Sequence, residues 1–255
     1  VARLDTPAKV NGTAVFGTDV DLPGMLYGTV RHCKVFGEKL ISVDDTKAKE
    51  VAGVIKIIPL ENQAVIVAES TWAAMQGADL LDLVSTGGHK DLSDASIFRQ
   101  FRSDLSKSGV TAAHVGNPSK AMKDSKKVLE LEYEMPMQAH ATMEPICATA
   151  SVTPDECNIW GPVQNQDAVM GFAMSVTSLP PEKIKVNTTF VGGGFGRKFE
   201  VDFLEAPLVA SKVMGKPVKV IWKREEDTRN DFFRPPTLAK MRIGLDSSGL
   251  PVAWE

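Results

Sequence analysis

Residues 191–198 read Val-Gly-Gly-Gly-Phe-Gly-Arg-Lys, and this stretch decides what stands on either side of it. Glycine has no Cβ, so its backbone enters the positive-φ region and lets a bound group approach closely. Three consecutive glycines followed by Phe195-Gly196 therefore predict a turn whose N–H groups face a ligand, with an aromatic ring beside them. Ile184 to Val191 reads as the strand that feeds the turn. Glu200 to Val213, with Val201, Leu204, Leu208 and Val213 along one side, reads as the helix that leaves it, interrupted at Pro207 and ended by Gly215 and Pro217.

Two familiar glycine signatures fail on spacing. A dinucleotide fingerprint needs G-x-G-x-x-G and an acid about 20 residues later, but Arg197 occupies the third glycine position and Val209 to Val213 holds no acid. A phosphate-binding loop needs Ser or Thr after its lysine, and Lys198 is followed by Phe199. Taken alone, the motif reads equally well as a strand-to-helix turn that holds no ligand.

Outward from the loop the pattern is mixed α+β. Downstream, Val218 to Trp222 and Leu238 to Ile243 are strand-like, and Asp246 to Gly249 has turn chemistry. Upstream, Val128 to Glu134 alternates as a half-buried strand should, Ala148 to Val152 and Asn158 to Trp160 follow as strands, and Asp167 to Ser175 as a helix. Residues 91–127 are polar and charged, with a helix expected around Ser96 to Leu105, and read as a connector draped over the surface. Residues 1–90 form an α+β module: strands at Met25 to His32, Lys39 to Val43, Val54 to Ile58 and Gln63 to Ala68, a brief helix over Asp44 to Val51, and a helix capped by Ser70.

At 255 residues and 43% hydrophobic, the chain buries a sizeable core in one or two domains. A net charge of −3 with scattered basic residues argues against a nucleic-acid partner. No stretch approaches 18 consecutive apolar residues. Cys33, Cys147 and Cys157 have neither iron–sulfur nor zinc spacing and read as small buried apolar residues; Cys147 and Cys157 would pair only in an exported protein.

Several blocks, in order, carry a family resemblance: Arg3-Leu-Asp-Thr-Pro-Ala-Lys-Val-Asn-Gly-Thr-Ala-Val-Phe, Asp21-Leu-Pro-Gly-Met-Leu, Ala139-His-Ala-Thr-Met-Glu-Pro, Trp160-Gly-Pro-Val-Gln, the glycine loop and Lys223-Arg-Glu-Glu-Asp. Together they resemble the xanthine dehydrogenase/aldehyde oxidase family of molybdenum hydroxylases, on the branch of the isoquinoline 1-oxidoreductase beta subunit. The resemblance implies an a/b hammerhead-like domain at 1–90, a connector at 91–127, and the N-terminal part of a molybdopterin-binding α+β domain at 128–255. It implies molybdopterin as cofactor, a small 2Fe–2S subunit as partner, and hydroxylation of an N-heterocycle or aldehyde with oxygen from water.

Residue by residue, Gln164 matches a glutamine whose amide donates to a ligand of the metal, and Gly193, Gly194, Phe195 and Gly196 match the loop that passes the cofactor. Arg234 matches an active-site arginine that stabilises charge growing on the substrate, a task suited to a permanently charged fork. Phe199 stands where xanthine-type members carry a glutamate. That argues against purines and for a flatter aromatic or aldehyde substrate. His140 and Glu144 read as packing residues, and no protein side chain is expected to bind the metal. Arg224, Glu225, Glu226 and Asp227 read as a solvated face or a local ion-pair network.

Members of the family are much longer, and their general-base glutamate lies in a C-terminal region beyond the residues matched here. The chain is thus expected to be a fragment that, alone, lacks cofactor and turnover. A complete, non-catalytic binding or assembly module is the alternative.

Overall fold

The structure, a computed structural model, describes residues 2–255. Its strands are β1 (Leu26–His32), β2 (Glu38–Asp44), β3 (Val54–Pro59), β4 (Gln63–Ala68), β5 (Asp82–Gly87), β6 (Lys127–Met135), β7 (Cys147–Val152), β8 (Cys157–Gly161), β9 (Ile184–Thr188), β10 (Val218–Ile221), β11 (Thr237–Leu245) and β12 (Pro251–Trp254). The helices are α1 (Thr6–Val10), α2 (Thr46–Lys49), α3 (Thr71–Asp79), α4 (Asp94–Leu105), α5 (Pro118–Asp124), α6 (Gln166–Thr177), α7 (Glu205–Met214) and α8 (Arg224–Arg229).

Two compact units divide the chain. The larger gathers the residues up to Lys90 with Ala139–Phe232, and the smaller gathers Asp91–Gln138 with Phe233–Glu255. Both are discontinuous, unlike the consecutive blocks 1–90, 91–127 and 128–255. Strand pairing is the reason: β1, from the N-terminal block, hydrogen-bonds in parallel to β10, with Leu26 opposite Val218.

In the larger unit a mixed sheet runs in the order β3-β4-β1-β10-β7-β8-β9. Gln63–Ala68 is buried throughout because the sheet is covered on both faces. Val65 and Val67 enter one core with Val169 and Ala173 of α6 and Leu208 and Ala210 of α7. Ala64, Ile66 and Ala68 enter a second core with Ala48 of α2 and Ala73, Ala74 and Ala78 of α3. A strand buried on both faces reads as a continuous apolar run, as this one does. Ser70 caps α3 as expected, its hydroxyl accepting the Ala73 N–H at 3.2 Å. The two-stranded sheet β2-β5 completes the larger unit.

The smaller unit is the sheet β12-β11-β6, with α4 and α5. β6 pairs with β11 residue by residue, from Lys127 opposite Leu245 to Met135 opposite Thr237. The 91–127 segment therefore carries two helices and belongs to a packed unit. Helix α5 has a plain start signal, Asn117 accepting the Lys120 N–H at 2.9 Å ahead of Pro118.

All three cysteines are buried and unpaired. Burial pushes the Cys157 thiol up to about 11 and raises those of Cys147 and Cys33. At pH 8 roughly one Cys157 in a thousand would be the reactive thiolate. Iodoacetamide labelling at pH 8 is therefore expected only as the protein unfolds, across the same urea range as the loss of circular dichroism. Rapid labelling in buffer would contradict the burial.

Candidate cofactor site

The glycine loop leaves β9 through Phe190, which bridges Phe16, and enters two short 3-10 turns, Arg197–Phe199 and Asp202–Leu204, before α7 begins at Glu205. The helix expected from Glu200 thus starts five residues late. Pro207 lies in its first turn, where the missing N–H would have had no helical acceptor, so it interrupts nothing.

Three loop residues have positive φ: Gly193 at 103°, Phe195 at 52° and Gly196 at 104°. A phenylalanine held there costs about 1–2 kcal/mol, and its ring is 75% exposed. The N–H of Gly192 donates to Glu144 Oε2 at 2.9 Å. Those of Gly193, Gly194, Phe195 and Gly196 donate to no acceptor among the described residues. Four adjacent free donors on a strained turn, exposed at Phe195 and Gly196 and buried at Gly194, form a backbone cradle of the kind that suits an oxygen-rich ligand.

Two walls flank this cradle. One is the segment from His140 to Glu144, which runs alongside the loop in the opposite direction. A Cβ placed on Gly192 would come within 2.5 Å of Glu144 Cβ, one on Gly193 within 3.4 Å of Thr142 Cβ, and one on Gly196 within 3.8 Å of His140 Nε2. The other wall is Gln164, between β8 and α6, whose N–H donates to Lys198 O at 2.9 Å. Its side-chain amide lies over Gly194, where a Cβ would come within 2.6 Å of Oε1.

Behind the loop lie two buried cations that the sequence reading does not single out, Arg197 at 1% exposure and Lys198 at 0%. Lys198 Nζ is 2.7 Å from Glu144 Oε2, and Glu144 Oε1 accepts the Gly17 N–H at 2.8 Å. Arg197 forms a two-pronged pair with Asp202, both contacts 2.8 Å. Its Nε lies 2.8 Å from Asp231 Oδ1, a charge contact whose N–H direction falls outside hydrogen-bond geometry. The guanidinium also lies 5.1 Å from the Phe232 ring centroid. Glu144 and Lys198 fix the start of the loop, and Arg197 and Asp231 its end.

The structure thus brings together Gln164, Gly193, Gly194, Phe195 and Gly196. Phe199 follows in the first 3-10 turn, 54% exposed. Arg234 belongs to the smaller unit, where its backbone pairs with Gln138 and its side chain is exposed. The charged run after β10 divides: Arg224 and Glu225 are exposed, while Glu226 and Asp227 are buried. Glu226 meets Arg31 at 3.1 Å and His32 Nδ1 at 2.9 Å, a local ion-pair network.

Among curated proteins, the membrane-bound aldehyde dehydrogenase (pyrroloquinoline-quinone) of Gluconacetobacter polyoxogenes is 31% identical over 96% of this chain and 33% of its own length. The isoquinoline 1-oxidoreductase subunit beta of Brevundimonas diminuta is 29% identical over 95% and 32%. The chain thus spans about a third of the curated relatives it matches. Its fold is that of part of quinoline 2-oxidoreductase from Pseudomonas putida 86, with a TM-score of 0.73 at 19% identity over 100% of this chain and 38% of that one. The aldehyde oxidoreductase from Desulfovibrio desulfuricans gives 0.74 at 18% over 100% and 33%. The family model of the molybdopterin cofactor-binding domain matches residues 102–255. The chain belongs to the molybdopterin cofactor-binding domain family.

Proposed function

We propose that this chain is the part of a molybdenum hydroxylase large subunit whose glycine loop holds the molybdopterin cofactor. The carrying observation is the row of four unpaired N–H groups from Gly193 to Gly196, faced by the Gln164 amide. Donors without a counter-charge suit the oxygen-rich, anionic end of such a group, and the positive φ values bring the backbone within reach. When bound, the cofactor supplies the redox chemistry that places water-derived oxygen on a carbon of an aldehyde or N-heterocycle.

The chain's own share is orientation. Gln164 donates its amide N–H toward the group over Gly194, and the loop fixes the group's angle. Phe199, with Phe195 near it in the loop, offers an apolar wall to a flat substrate in place of a carboxylate. Arg234 supplies a permanent cation for charge growing on that substrate. In this reading residues 1–90 correspond to the hammerhead-like domain, 91–127 to the connector and 128–255 to the N-terminal part of the molybdopterin-binding domain. A small 2Fe–2S subunit takes the electrons. Turnover requires the rest of a longer polypeptide, so the isolated 255 residues hold little cofactor and are inactive.

Gly194→Ala tests the cradle. The nearest atom to the new Cβ is the end of an exposed, flexible Gln164 side chain, so stability should fall by less than about 1 kcal/mol, while the methyl group stands in the cradle. In protein made from the full gene in a cofactor-producing host, molybdenum and pterin per chain should drop at least tenfold with an unchanged melting temperature. Unchanged cofactor content would contradict the assignment. A wild-type protein free of molybdenum and pterin would shift the reading to a non-catalytic binding or assembly module.

A further inference from the structure

His140 lies beside the last residue of the cradle, and its ring is held from behind. Its side chain is 9% exposed, and Nδ1 lies 3.0 and 3.1 Å from the two Asp231 carboxylate oxygens. The His140 backbone N–H donates to the same carboxylate. Asp231 is in turn fixed by the buried Arg197 at 2.8 Å. The carboxylate keeps a proton on Nδ1 and fixes the ring plane, the arrangement by which an acid orients a working histidine. Nε2 has no partner among the described residues and faces Gly196, 3.8 Å from where a Cβ would stand.

We propose that His140 is a cofactor-contacting residue, its Nε2 adding a side-chain group to the cradle beside Gly196. This rests on the reading of the glycine loop given above. The loop offers only backbone donors, whereas His140 adds a side chain whose role follows its charge. A neutral ring presents a lone pair to an N–H or O–H of the ligand, and an imidazolium presents an N–H to an oxyanion. Asp231 and Arg197 act as positioning residues behind it. Holding Asp231 requires only Nδ1, and it does not account for a second ring nitrogen left without a partner beside Gly196.

A pair of amide substitutions separates the two nitrogens. His140→Asn places an amide near Nδ1 and keeps the contact to Asp231, whereas His140→Gln carries one out toward Nε2. Both are made in the full-length holoprotein, with molybdenum by mass spectrometry, released pterin by fluorescence and melting temperature as readouts. The expected result is that His140→Gln holds cofactor within about twofold of wild type, while His140→Asn loses at least fivefold with a similar melting temperature. Retention in His140→Asn with loss in His140→Gln assigns the histidine to Asp231 and overturns the proposal. Full retention in both variants and in His140→Ala also overturns it. A wild-type protein without molybdenum or pterin fails the loop reading itself and takes this proposal with it; the wild-type cofactor content, measured first, separates that failure from the others.

Discussion

Replacing Lys198 with methionine is expected to lower the stability of the fold by about 3–5 kcal/mol, the usual cost of removing one partner of a buried ion pair. Methionine matches the length of the lysine stem, so lost volume is not the cause. Glu144 would remain beneath the loop with its two backbone donors, Gly17 and Gly192, but without the ammonium now 2.7 Å away. Urea denaturation of wild type and variant measures the difference. The double variant Glu144→Gln/Lys198→Met removes both charges and should recover part of the loss, since a neutral pair leaves no uncompensated buried ion. A single-variant loss below about 1 kcal/mol would mean that the pair is solvated and that Glu144 does not depend on Lys198.

Gly192→Ala is expected to cost about 3 kcal/mol, at the upper end for adding a methyl group where no room exists. The collision is with Glu144 Cβ at 2.5 Å, an atom fixed to the backbone. The carboxylate beyond it cannot swing aside without releasing Lys198 and two N–H groups. Gly194, two residues on, meets only a mobile amide tip, so the same substitution there leaves the fold intact. The two alanine variants, unfolded in urea side by side, should differ by at least about 2 kcal/mol. Equal midpoints and slopes would show that the loop yields wherever it is pushed.

The contrast between these neighbouring glycines also marks how far the sequence can be read. The run of glycines announces a backbone that must come close to something, and the flanking apolar periods place β4 and β10 within a residue and the starts of α3 and β9, although β9 ends at Thr188, three residues before the expected Val191. It does not tell which glycine guards a ligand space and which avoids Glu144, because Glu144 lies 48 residues away in sequence. Arg197 and Lys198 were illegible for the same reason. Hydropathy assigns an Arg-Lys pair to the surface, and only Asp202, Asp231 and Glu144, brought in by the fold, permit its burial.

Other misreadings have local causes. Strand β5 has one half-buried large apolar residue, Leu83, beside an exposed Val84, since it pairs in a two-stranded sheet with β2. A weak face gives a weak alternation. Helix α8, Arg-Glu-Glu-Asp-Thr-Arg, contains no apolar residue, and its buried face consists of Glu226 and Asp227. The late start of α7 reflects the two 3-10 turns that Arg197 and Asp202 impose between loop and helix.

The parallel pairing of β1 with β10 also sets a schedule for the ribosome. Thr29 Oγ donates to the Ile221 carbonyl oxygen across 192 residues of chain. At ordinary synthesis rates of 5–20 residues per second, about 10–40 seconds pass between the two. During that interval β1 has β4 on one side and an open edge on the other. Such a nascent sheet invites mispairing, and its closure waits on a long-range contact of the slow-forming kind. Yield in the cell should therefore respond more to chaperone supply and growth temperature than to the stability of the finished fold.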